Sequence, residues 1–93
     1  MALATIAAAV GMSQFHFARK FKEATGLAPH QYLIRCRLER AKQMLLASPA
    51  RISDAALEFG FCDQSHFTFH FKRVYGVTPR MFLRDTVLRK NLP

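Results

Sequence analysis

Phe15, Ala18, Arg19 and Lys22 fall at i, i+3, i+4 and i+7, a spacing that puts four side chains on one face of a helix. Fifty residues on, Ser65, Thr68, Phe69 and Lys72 repeat that spacing, and Gln14 and Gln64 stand one residue ahead of each set. Such a face offers planar donors, charge and small or apolar contacts together, which is what reading a DNA groove requires. The Arg19 guanidinium can donate twice to guanine O6 and N7, a contact that discriminates by ~1–3 kcal/mol. Gln14 or Gln64 can pair with adenine N6 and N7. Ala18 and Thr68 are small enough to let a helix seat deeply and to touch a thymine methyl. Lys22 and Lys72 lie further along and suit phosphates. Phe15 and Phe69 are costly on a water-facing surface, and contact with thymine methyls or sugars accounts for them. These ten residues are the candidate DNA-contacting set.

Each set needs a helix and something for the helix to rest on, and here the whole surrounding sequence is repeated. Gly11-Met12-Ser13-Gln14-Phe15-His16-Phe17-Ala18-Arg19-Lys20-Phe21-Lys22 is echoed by Gly60-Phe61-Cys62-Asp63-Gln64-Ser65-His66-Phe67-Thr68-Phe69-His70-Phe71-Lys72. Gly26-Leu27-Ala28-Pro29 is echoed by Gly76-Val77-Thr78-Pro79. Leu3, Ile6, Ala7 and Val10, and likewise Ile52, Ala55, Ala56 and Phe59, form the apolar stripe of a short helix. Gly11 and Gly60 follow as the tight turn of a helix-turn-helix. Ser13 and Asp63 are expected to cap the second helix of each unit. Phe17, Phe21 and Ala24, and Phe67, Phe71 and Val74, are expected to bury its inner stripe, with Gly26 and Gly76 ending it.

The predicted architecture is all-α, a single domain of two helix-turn-helix units joined by a long central linker helix. The first unit covers about 3–26, the linker helix about 30–47, the second unit about 52–76, and a closing helix about 79–86, leaving 87–93 as a tail. Pro29 and Pro79 suit a first helical turn, where a missing N–H costs nothing. Ile34, Leu38, Ala41 and Leu45 form the linker's stripe, Arg35, Arg37, Arg40 and Lys42 decorate its other faces, and Ser48-Pro49-Ala50 stops it. At ~1.5 Å per residue the linker spans about 27 Å. With a helix width at each end it can hold two reading heads about one DNA turn, ~34 Å, apart.

The chain has 93 residues and a formal net charge of +8, which favours a polyanionic partner. Half of its residues are hydrophobic and nine are Phe, too apolar for a disordered basic tail. No apolar run is long enough to span a membrane, and the start lacks a signal peptide's positive region. Cys36 and Cys62 form no C-x-x-C pair and read as reduced cysteines of a cytosolic protein. The acidic residues are scattered, the serines lack a His–Asp arrangement, and the glycines sit at predicted helix ends rather than in a phosphate loop, so the chain does not read as an enzyme. His66 and His70 have the i, i+4 spacing of zinc ligands but no third partner, so neither metal nor cofactor is expected. His16 aligns with His66, which favours a repeated structural or phosphate-contacting role, and His30 reads as a surface residue. Two other readings compete with sequence-specific DNA binding. One is an architectural binder using charge alone. The other is a helical module that docks a protein partner through Phe15 and Phe69.

Taken along the chain, G-x-S…R-x-F-K…G-x-x-P…Y-L, then R-L…A…L-L, then I…A…G-F-x-D-Q-S-H-F…F-K…G-V-T-P resembles the DNA-binding domain of the AraC/XylS family of bacterial transcription regulators, over about Leu3 to Arg84. The resemblance implies seven helices and binding to asymmetric promoter sites across adjacent major grooves. It implies activation of transcription through contact with RNA polymerase, in the bacterial cytoplasm at the nucleoid. The family usually carries Arg where this chain has Phe69. It also has a helix ahead of the one near Leu3, so the chain reads as the C-terminal piece of a longer regulator. The remainder of such a regulator would sense a small molecule and dimerise, and restoring the upstream residues is expected to raise the melting temperature.

Overall fold

The computed structural model describes residues 3–47 and 51–90, with side chains described as far as Thr86. It contains six helices: α1 (Leu3–Ala9), α2 (Gln14–Thr25), α3 (Pro29–Ala47), α4 (Ile52–Glu58), α5 (Gln64–Tyr75) and α6 (Pro79–Lys90). There is no strand among the described residues. The chain divides into two compact units, Met1–Ile34 (unit 1) and Arg35–Pro93 (unit 2), and the division falls inside α3. The long helix is therefore more than a spacer: its first part belongs to unit 1 and the remainder to unit 2.

Each unit closes with the same device. Pro29 opens α3 and Pro79 opens α6. One turn later an aromatic ring meets the second helix edge-on, Tyr32 against Phe21 with ring centroids 5.3 Å apart and Phe82 against Phe71 at 5.7 Å. The repeat is thus a three-helix unit, not a helix pair alone.

The two copies are unequally packed. In unit 1, α1 packs on α2, yet Ala7 is the one buried residue among those described. Phe17 and Phe21 are half-buried, and Val10 and Ala24, both expected in buried stripes, are exposed. Val10 escapes because α1 stops at Ala9, leaving Val10 in the turn. In unit 2, Phe67 and Phe71 are fully buried, with Ala55, Ala56, Phe61 and Pro79 buried too. Phe61 packs on Phe67 at 5.1 Å where unit 1 has Met12, and unit 2 also holds the buried stripe of Leu38, Ala41 and Leu45 on α3, which has no counterpart in unit 1. Two helices and the start of a third have too few apolar neighbours to close over two phenylalanines.

α6 runs to Lys90, four residues beyond the expected end at Thr86, so most of the expected tail is helical. No glycine or proline interrupts Arg84 to Lys90, and the Thr86 hydroxyl donates back to the Phe82 carbonyl at 2.9 Å. Weak apolar periodicity misled the expectation, because backbone hydrogen bonding can continue a helix without it. The expected stop at Ser48-Pro49-Ala50 and the last three residues lie outside the described residues.

A polar cluster ties α5 to α3 within unit 2. The Tyr75 hydroxyl donates to Glu39 Oε2 at 2.9 Å, Lys42 Nζ lies 3.0 Å from the same oxygen, and Gln43 donates to Oε1 at 3.1 Å. Lys42 Nζ also sits 4.8 Å from the centroid of the Tyr75 ring. The hydrogen bonds from Lys42, Gln43 and Tyr75 pull the Glu39 carboxyl down from 4.5 to about 2. Burial, then the bond to Glu39, pushes Tyr75 from 10.0 up to about 12. The Glu39 charge therefore stabilises the fold above pH 4.5, and that contribution fades as the pH falls from 4.5 towards 2. The neutral Tyr75 contributes below pH 10 and fades as the pH climbs from 10 towards 12. Half-exposed Glu39 is screened by water, so both effects are small. The stability gap between the native chain and Glu39→Gln should narrow as melting is followed from pH 5 to pH 2. A gap constant over that range would refute the assignment.

Candidate nucleic-acid interface

The two turns are built alike. Met12 N–H reaches the Ala7 carbonyl and Phe61 N–H the Ala56 carbonyl, both at 2.9 Å, while Gly11 and Gly60 donate to Ala8 and Leu57. This is the paired bonding of a Schellman end, with glycine at the left-handed position. Gly60 has φ +90°, a conformation that strains any L side chain, and a Cβ there would lie 3.2 Å from Arg37 Cζ, so the guanidinium would have to shift as well. The second turn is one residue longer, the extra residue being Cys62. Its N–H donates to His66 Nδ1 at 3.3 Å, so the imidazole satisfies the added peptide group. A ring that accepts at Nδ1 carries its proton on Nε2, and His66 Nε2 lies 3.1 Å from His70 Nε2. His66 is thus held in the turn, and His70 lies against it on α5. The counterpart of His66, His16, whose turn lacks the extra residue, is exposed.

Matching caps fix where each second helix begins and ends. The side chains of Ser13 and Asp63 accept from the N–H groups of His16 and His66, at 3.1 and 2.8 Å. Gly26 and Gly76 close α2 and α5 in the left-handed conformation, each N–H reaching the Lys22 or Lys72 carbonyl at 2.8 Å. With ends fixed and inner faces set by Phe17 and Phe21 or Phe67 and Phe71, the outer faces follow. Gln14, Phe15, Arg19 and Lys22 are exposed on α2, and Gln64, Ser65, Phe69 and Lys72 on α5. Ala18 and Thr68, expected on the outward face, are half-buried, at its margin. Phe15 is 88% exposed and Phe69 59%. The Phe69 ring meets His70 edge-on at 5.2 Å.

Charge is divided unevenly between the units. Residues 1–34 carry three Lys or Arg and one Glu, a net +2, leaving +6 for residues 35–93. On α2 the basic residues begin at Arg19, in the middle of the helix, whereas on α5 they are Lys72 and Arg73, both in its last turn. Arg19, Lys22 and Lys72 have no salt bridge among the described residues. No group of three or more His, Cys, Asp or Glu there is arranged to hold a metal ion. No helix among them is long and apolar enough to cross a membrane.

The family described as a helix-turn-helix domain, of AraC type, matches residues 6–85. The chain belongs to the AraC family. Among relatives of this AraC-type domain, the HTH-type transcriptional regulator MtrA of Neisseria gonorrhoeae is 35% identical over 78 residues, covering 84% of this chain and 26% of MtrA. The HTH-type transcriptional activator RhaS of Escherichia coli is 42% identical over 62 residues, covering 67% of this chain and 22% of RhaS. The AraC-type domain thus spans about a quarter of the length of these relatives. Among solved structures, the DNA-binding domain of AdpA, described in complex with a target DNA, superposes with a TM-score of 0.87 at 30% identity, covering 100% of this chain and 84% of that one. This AraC-type chain is a DNA-binding helix-turn-helix domain of a transcription regulator and not an enzyme.

Proposed function

We propose that the two units act as one domain that binds duplex DNA in a sequence-specific manner, α2 and α5 each entering one of two adjacent major grooves. The observation that carries this reading is the repeated face: two helices, capped at the same positions, expose Gln14, Phe15, Arg19 and Lys22 and, fifty residues on, Gln64, Ser65, Phe69 and Lys72. Ala18 and Thr68, small and half-buried, border those faces and let the backbone approach the bases. Arg19 and the glutamines read base edges, Phe15 and Phe69 touch methyls or sugars, and the lysines hold phosphates. The 19 residues of α3 run without interruption from unit 1 into unit 2, which supports a joint role for the two faces.

Within a longer bacterial regulator this domain would serve an activator, bringing RNA polymerase to a promoter under the control of a sensing or dimerising domain elsewhere in the protein. RhaS, an activator, is the relative that supports this part of the reading. The test is selection from a pool of random duplexes at about 150 mM salt, where non-specific binding falls to ~10⁻⁴–10⁻⁶ M. Enrichment of a two-part motif with its halves one helical turn apart is the expected result. Uniform retention would identify an architectural binder, and no retention a protein-docking module; either would overturn the proposal.

A further inference from the structure

We propose that unit 2 reads the C5 methyl group of a pyrimidine through Phe69, and that guanine is read by unit 1 alone. The inference rests on the DNA-binding reading above. The internal repeat isolates the difference: at one register position of one capped helix, unit 1 carries Arg19 and unit 2 carries Phe69. A helix of this kind meets base edges with its N-terminal turns. Those turns of α5 hold Gln64, Ser65, Thr68 and Phe69, and cations enter only with Lys72 and Arg73 in the last turn. Unit 2 nevertheless holds +6 of the net charge, so its positive potential is suited to phosphates and not to a guanine edge.

Phe69 is set up for an apolar contact in such a groove. It is 59% exposed, and the edge-on contact with His70 at 5.2 Å gives its ring a neighbour on its own helix. Its neighbours on the face are Ser65, Thr68 and Lys72, so an occupant must be anionic around an apolar point. In the major groove the only apolar group on a base edge is the C5 methyl of thymine. The methyl of 5-methylcytosine occupies the same position on the ring, so Phe69 would accept it equally. Gln64, five residues earlier at the start of α5, can pair with adenine, which makes this half of the site A·T-reading.

The experiment begins from a duplex selected by the native chain and replaces each thymine in turn with deoxyuridine. One position in the half-site bound by α5 is expected to weaken binding about fourfold, the factor given by ~0.8 kcal/mol per buried methyl at 1.4 kcal/mol per tenfold. With a G·C pair at that position, 5-methylcytosine should bind about fourfold better than cytosine, by the same conversion. Both sensitivities should vanish in Phe69→Ala and persist in Phe69→Leu, with melting temperatures close to native because the side chain is largely exposed. Replacing guanines with 7-deazaguanine should weaken only the other half-site, and Arg19→Ala should abolish that effect. Indifference to uracil, uracil sensitivity that survives Phe69→Ala, or a guanine requirement in both half-sites overturns this inference and leaves DNA binding intact. Failure to select any duplex overturns the reading beneath it.

Discussion

Truncating Phe67 to alanine lowers stability by about 3–5 kcal/mol, while the same change at its counterpart Phe17 costs only ~1 kcal/mol. The two residues hold equivalent positions in the repeat, so helix propensity and residue type cancel from the comparison. What differs is enclosure. Phe67 is fully buried, with Phe61 5.1 Å away edge-on and Phe71 at 5.6 Å. Removing its ring leaves a cavity that neighbours already in contact cannot fill. Phe17 is half-buried, so much of the space it vacates is open to water and no sealed void remains. For a 93-residue chain each kcal/mol moves the melting midpoint by about 4–8 °C, so parallel thermal melts separate the two variants clearly. Equal losses would mean that unit 1 is as tightly packed as unit 2, against the burial described above.

Arg19→Ala should weaken binding to the selected duplex by ~1–3 kcal/mol, roughly 5- to 150-fold, and relax preference at a single base pair. Arg19 is exposed, has no salt bridge among the described residues and sits in the middle of a helix capped at both ends. Its loss therefore leaves the fold intact and removes a bidentate donor. Lys72→Ala makes the informative comparison. A lysine on a phosphate carries no sequence information, so its removal should weaken all duplexes alike and reduce the salt dependence by about one counterion. Titrations of both variants against the selected duplex and a scrambled one, at several salt concentrations, separate the roles. Identical profiles would refute the assignment of both residues.

Both helix-turn-helix units, their caps and their turn glycines were legible in the sequence because each rests on local chemistry. Ser13 and Asp63 cap, Gly11 and Gly60 turn, and Pro29 and Pro79 start helices wherever they stand. The outward faces followed from the helical period once Phe17 and Phe67 were taken as inward. Two things were hidden because they depend on neighbours remote in sequence. The first is the uneven burial of Phe17 and Phe67, since burial depends on side chains from other parts of each unit and not on the helix's own pattern. The second is the division of α3 between the units, since a continuous helix shows no boundary in its own periodicity. The role of His66 and His70 was hidden for a different reason: their i, i+4 spacing does not show the bond that His66 makes to the Cys62 peptide group. The signal that could have resolved them was the one-residue difference in turn length, which leaves the Cys62 peptide group in need of an acceptor.

Because each copy of the repeat carries its own caps, turn bonds and closing aromatic pair, the two reading faces can change independently. Under the proposed binding mode, a substitution at Phe15 or Phe69 would alter what one arm prefers without disturbing what the other holds. A regulator that used the two faces as proposed could acquire a new target by small steps, one half of its site drifting while the other keeps the protein in place.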